Sequence, residues 1–87
     1  SEAGGSIVRR LRRRAMVRLE SERILRGRGE LAAADLVMHL EKRLVYQLSP
    51  RSVSRLLQGH PRIVRVSRDN GPSTYRVRNP QEPRRVG

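Results

Sequence analysis

Cysteine, phenylalanine and tryptophan do not occur among the 87 residues, and Tyr46 and Tyr75 are the only aromatic side chains. Without cysteine there is no disulfide framework, no thiol nucleophile and no cysteine-ligated zinc, and the redox compartment leaves no trace. Two tyrosines argue against the sheets and barrels that bind RNA by stacking bases on exposed rings. No apolar run approaches the roughly 18 residues that cross a bilayer, and the start SEAGGS leads into arginines rather than a signal peptide's apolar segment. The expectation is a soluble, intracellular, cytoplasmic protein, nucleoid-associated if it binds DNA.

Acids are scarce too. Eight Asp and Glu face 20 Lys and Arg, a net charge of +12 that attracts polyanions, nucleic acid first among them. All but Lys42 of those bases are arginine. Arginine suits planar, two-pronged contact with phosphate and guanine, although GC-rich coding or a hot habitat gives the same bias. The charge comes in blocks: residues 1–28 carry +6, residues 29–48 carry −1 and residues 49–87 carry +7. The middle block reads as scaffold and its flanks as contact surface.

Signals for catalysis are missing. No nucleophile elbow, phosphate loop or usefully spaced carboxylate pair is found, and Gly27-Arg28-Gly29 is too short for a phosphate loop. His39 and His60 lie far apart without clustered acids, which disfavours a metal site. The chain reads as a non-enzyme with no cofactor and no metal.

A chain this short folds as one domain, here residues 7–78, with residues 1–6 disordered and residues 79–87 a flexible, proline-bearing tail. Residues 7–26 lack proline and glycine and predict a helix, which Gly27 and Gly29 terminate. At about 100° per residue, Val8, Leu11, Ala15 and Leu19 form one stripe while Val17 and Ile24 lie nearly opposite. Either the helix bends to bring both faces to one core, or a second copy covers its start and makes a homodimer. Residues 32–43 predict a second helix, packed through Ala33, Leu36, Val37, Leu40 and Leu44. Ser49 as N-cap, Pro50 at the first position and Gly59 as the stop predict a third, over 50–58. Residues 63–68 and 73–78 alternate around Asp69-Asn70-Gly71-Pro72 and predict a tight β-hairpin, with positive φ at Asn70 and Gly71. Val64, Val66, Tyr75 and Val77 are expected on its core face, and Arg65, Arg76 and Arg78 on the other.

Three helices and a terminal hairpin define an α+β, mainly helical class. The stretch from Val17 to Arg78 resembles a winged helix-turn-helix, and is similar to the small winged-helix DNA-binding proteins abundant in archaea. In that resemblance Val45-Tyr46-Gln47-Leu48 is the turn region, Ser49 to Leu57 looks like the recognition helix, and Ile63–Val66 through Tyr75–Val77 looks like the wing.

The residues support the same reading on their own. Val53, Leu56 and Leu57 share one face of the third helix, while Arg51, Arg55 and Gln58 share the other, and no acid lies between Pro50 and Arg68. In a major groove such arginines reach guanine and such a glutamine reaches adenine, with Ser52 and Ser54 on the flanks suited to phosphate or mixed base contacts. Arg65, Arg76 and Arg78, as like charges on one sheet face, point to phosphate between them, and Arg68 near the hairpin tip to phosphate or a minor groove. Arg9, Arg10, Arg12, Arg13 and Arg14 suit a DNA backbone.

The expected function is binding of double-stranded DNA, as a transcription regulator or chromatin-type binder. The alternatives are an RNA- or ribosome-associated protein, and a protein-interaction module of a transcription or replication complex. A membrane partner is not expected.

Overall fold

A computed structural model describes residues 2–81 of the chain. The expected α+β class is found: three helices and a small antiparallel sheet follow in the order α1 (Glu2–Arg28), β1 (Leu31–Ala32), α2 (Ala33–Arg43), α3 (Pro50–Leu57), β2 (Ile63–Val66) and β3 (Thr74–Val77). Residues 82–87, most of the expected tail, lie outside the described residues, as does Ser1.

Helix α1 starts at Glu2, not at Ile7, so residues 2–6 are helical where disorder was expected. Glycines 4 and 5 are poor helix formers, but once a helix is nucleated each added residue gains a hydrogen bond. Gly27 lies inside the helix, and the N–H of Gly29 closes its end on the carbonyl of Leu25 at 2.8 Å. Only one of its two apolar faces is used by the fold: Val17, Ile24 and Leu25 are buried, while Val8, Leu11 and Leu19 are exposed. The first reading of the two faces, a bend that turns both inward, therefore fails.

Helix α2 buries Leu36, Val37 and Leu40, with Ala33 and Leu44 packed alongside, as their helical spacing predicts. These side chains meet Val53 and Leu57 of α3, together with Ile63 and Tyr75 of the sheet, in a single core. Glu20 on α1 ties the first two helices from outside by accepting from Arg23 at 3.0 Å and Arg43 at 3.3 Å.

The sheet differs from the expected two-stranded hairpin. Its strand order is β1-β3-β2, and the added strand β1 pairs Leu31 with Tyr75 and Ala32 with Thr74. Two residues are too short to carry a period, and Ala32, next to Ala33 and Ala34, reads as the start of the second helix. β2 and β3 are each four residues long, with seven residues between them in place of the expected four. Gly71 alone takes positive φ, +135°, and Asn70 does not.

The pairing register also corrects the sidedness. Ile63 opposes Val77, Val64 opposes Arg76, and Arg65 opposes Tyr75. Directly opposed residues share a face, so Arg65 lies on the side of Tyr75 and Val77, while Val64 and Val66 share the side of Arg76. Ile63 and Tyr75 are the buried pair, and they decide which side faces the core.

Candidate nucleic-acid interface

Helix α3 is fixed at both ends by local chemistry. Extended Ser49 accepts from the Ser52 N–H at 3.1 Å, and the Ser52 hydroxyl accepts from the Ser49 N–H at 2.9 Å. This reciprocal cap, with Pro50 at the first turn, sets the start of the helix. Gly59 takes φ +73° just beyond the end, a conformation costly for any side chain with a Cβ. The helix runs from Pro50 to Leu57, one residue short of expectation, with Gln58 as C-cap.

The α3 faces divide as predicted. Val53 is fully buried and Leu57 nearly so, whereas Arg51, Arg55 and Gln58 are exposed. Neither Arg51 nor Arg55 has an ion-pair partner among the described residues. The two serines have other duties. Ser52 is engaged in the cap and also donates to the Ser49 carbonyl at 3.0 Å. Ser54 accepts from the Tyr75 hydroxyl at 2.8 Å, pinning α3 to the central strand. Tyr75 is thus a core side chain with its polar tip satisfied.

Arg65 is exposed opposite Tyr75, hence on the sheet face whose tyrosine reaches α3. Arg76 lies opposite Val64, half-buried, and Arg78 is half-buried with its N–H on the Arg62 carbonyl at 2.7 Å. Because Arg65 does not share a face with Arg76 and Arg78, an anion held between all three loses its geometric basis. Arg68 is ion-paired with Glu30, and the same carboxylate oxygen accepts from the Thr74 hydroxyl at 2.7 Å. It is therefore held at the sheet instead of standing free.

On α1, Arg9, Arg10, Arg12 and Arg14 are exposed and Arg13 is half-buried. None of the five is ion-paired among the described residues. The paired arginines sit elsewhere: Arg23, Arg26, Arg43, Arg62 and Arg68 are held by Glu20, Glu22 and Glu30. Among the described residues the acids thus pair with one set of arginines and leave Arg9 to Arg14 on α1 and the outer face of α3 without a carboxylate partner.

Two positioning contacts were not expected from the sequence, where Arg18 counts only as part of the basic run on the first helix. Arg18 points from α1 to the C-terminal carbonyls of α3. Glu22 accepts from Arg26 at 2.7 Å and from Arg62 at 2.8 Å, and lies 3.8 Å from His60 Nε2. Burial would raise the Glu22 carboxyl, but hydrogen bonds from Arg26 and Arg62 and their charges outweigh it and hold it below its ordinary value. His60 is almost wholly buried, and its Nδ1 accepts from the Arg62 N–H at 3.0 Å. Burial, then the charges of Arg18 and Arg62, lower its pKa against the opposing pull of Glu22.

Among the described residues, no group of three His, Asp and Glu side chains is placed to hold a metal ion, and no helix is long and apolar enough to cross a membrane. Compared with protein-family models, curated proteins and solved structures, the chain matches none.

Proposed function

We propose that the protein binds double-stranded DNA as a winged-helix module, in the role of a transcription regulator or chromatin-type binder. Helix α3 enters the major groove with Arg51, Arg55 and Gln58 towards the base edges. The β2–β3 pair acts as the wing, with Arg65 on one face and Arg76 and Arg78 on the other as separate candidates for flanking-backbone contact, and Arg9, Arg10, Arg12, Arg13 and Arg14 extend that contact along α1.

What carries the reading is the outer face of α3, where two exposed arginines have no carboxylate partner among the described residues although five arginines elsewhere are matched. A phosphate or a guanine edge supplies the acceptors this face lacks. Backbone contacts outnumber base-reading candidates, so non-specific affinity contributes strongly and falls with salt. For about five to eight neutralised phosphates, log K against log salt has a slope near −5 to −7.

The test is a titration of duplex DNA and of structured RNA at physiological salt, followed by footprinting on random and genomic DNA. Duplex preference, lost on Arg51→Glu with Arg55→Glu, is the expected result. A clear preference for RNA overturns the DNA assignment. Unchanged nucleic-acid affinity in the charge-reversed variant, with loss of a protein complex instead, makes α3 a protein-docking surface.

A further inference from the structure

Among the described residues, nothing covers the apolar side of the first half of α1. All the core residues of this helix, Val17, Ile24 and Leu25, come from its later part, whereas Ile7, Val8, Leu11 and Leu19 are 55%, 55%, 58% and 46% exposed. Ile7, Leu11, Ala15 and Leu19 succeed one another at i, i+4 and form one unbroken ridge, about 18 Å long, with Val8 beside it. Rows of this kind fit the grooves between side-chain rows of another helix. The small Ala15 in the middle of the row lets an opposing backbone come close. Phenylalanine and tryptophan, which commonly anchor amphipathic helices in a lipid surface, are absent from the chain.

Charge then selects among helices. By the helical spacing Arg12 borders the ridge on one side and Arg10 and Arg14 on the other, while Arg9 and Arg13 lie away from it. No carboxylate pairs with any of them among the described residues. A second copy laid antiparallel on the ridge matches Ile7 with Leu19 and Leu11 with Ala15, but it also sets Arg12 of each copy beside Arg12 of the other, and Arg14 beside Arg14. Like charges so placed oppose association. A helix flanked by acids has the opposite effect on the same contacts.

We propose that this ridge docks an acidic amphipathic helix of another protein, with the partner's apolar stripe on Ile7, Leu11, Ala15 and Leu19 and its Asp or Glu side chains against Arg12 and Arg14. The inference is independent of DNA binding by α3. Arg9 and Arg13 lie away from the ridge, so α1 can hold such a helix and a nucleic-acid backbone on different sides.

The test uses the full chain and a fluorescent synthetic helix of about 18 residues, with leucine at i, i+3 and i+4 spacing and glutamate on its flanks, against a scrambled peptide of identical composition. The patterned peptide is expected to bind at least about tenfold more tightly than the scrambled one. Leu11→Asp, at an exposed position, abolishes that preference while the helical circular dichroism of the chain is retained. Arg12→Glu with Arg14→Glu transfers the preference to a lysine-flanked peptide. Equal affinity for both acidic peptides overturns the proposal, leaving a general attraction to polyanions. A preference that survives Leu11→Asp overturns it by placing the contact elsewhere. Sedimentation of the chain alone as a dimer that Leu11→Asp dissociates overturns it in favour of a second copy, and ridge-dependent binding to phosphatidylserine vesicles overturns it in favour of a lipid surface.

Discussion

Arg18 of α1 donates to the carbonyl of Leu56 on α3 at 2.9 Å, across 38 residues of chain. The same Nη1 reaches the Gln58 carbonyl at 3.1 Å, so one guanidinium covers acceptors that the end of α3 leaves unsatisfied. A cation here also meets the negative end of the helix dipole. Burial, followed by the neighbouring charges of Arg14 and Arg62, lowers the Arg18 pKa, though an arginine stays protonated at working pH.

Arg18→Ala is expected to lower stability by about 1–2 kcal/mol, since it removes charge-assisted hydrogen bonds at a helix end. The measurement is the urea midpoint at unchanged m-value. Arg18→Lys, which keeps the charge without the planar fork, recovers part of the loss. An unmoved midpoint in the alanine variant means that water satisfies those carbonyls equally well.

Lowering the pH removes stability through His60. Its folded pKa lies below the ordinary 6.5, so the unfolded chain takes up a proton first. Stability from this group is complete above about pH 6.5 and falls as pH drops through the window below it. Glu22, held below the ordinary 4.5, adds a second loss at more acidic pH by the same sign. Urea midpoints between pH 7.5 and 5.5 should decline in the wild type and decline less in His60→Gln; parallel curves would exclude His60 as the cause.

Ser21→Ala is expected to stabilise. The hydroxyl of this helix residue is fully buried and has no hydrogen-bond partner. Alanine removes an unsatisfied polar atom and is the better helix former, which together raise stability by about 0.5–1.5 kcal/mol. Thermal unfolding reads the result as a higher midpoint, and a lower one shows that the oxygen fills space the core needs.

Arg65 and Arg68 should differ in DNA binding although the sequence gives them equal standing. Arg65 is exposed and without an ion-pair partner among the described residues, while Arg68 is held by Glu30. Arg65→Ala is therefore expected to weaken duplex binding several-fold and to make the salt slope shallower by about one. Arg68→Ala acts mainly on stability, and equal effects on affinity would show that the Glu30 pair opens on binding.

What was legible in the sequence depended on how local its cause was. Ser49, Pro50 and Gly59 set α3 through contacts a few residues long, and the i, i+3, i+4 spacing of Leu36, Val37 and Leu40 is a property of one helix. The sidedness of β2 was not legible, because Ile63, Val64 and Val66 are all apolar and the alternation fits either parity. Tyr75 settles it through a hydroxyl whose acceptor, Ser54, is 21 residues away. The Arg68–Glu30 pair and the Arg18 contact each join residues 38 apart, so charge counts could not separate engaged from unengaged arginines. The capping duty of Ser52 was not legible, because a cap and a phosphate contact favour the same small hydroxyl side chain.

The uneven matching of guanidiniums has a kinetic consequence. Five of the eight acids, Glu20, Glu22, Glu30, Asp35 and Glu41, fall between residues 20 and 41, whereas residues 9–14 hold five arginines and no acid. Positive charge is therefore unevenly spread along the chain, with a local excess on residues 9–14. In the field of a polyanion such a body experiences a torque as well as a pull, so diffusional encounters are biased to begin with the leading arginines already turned towards the target.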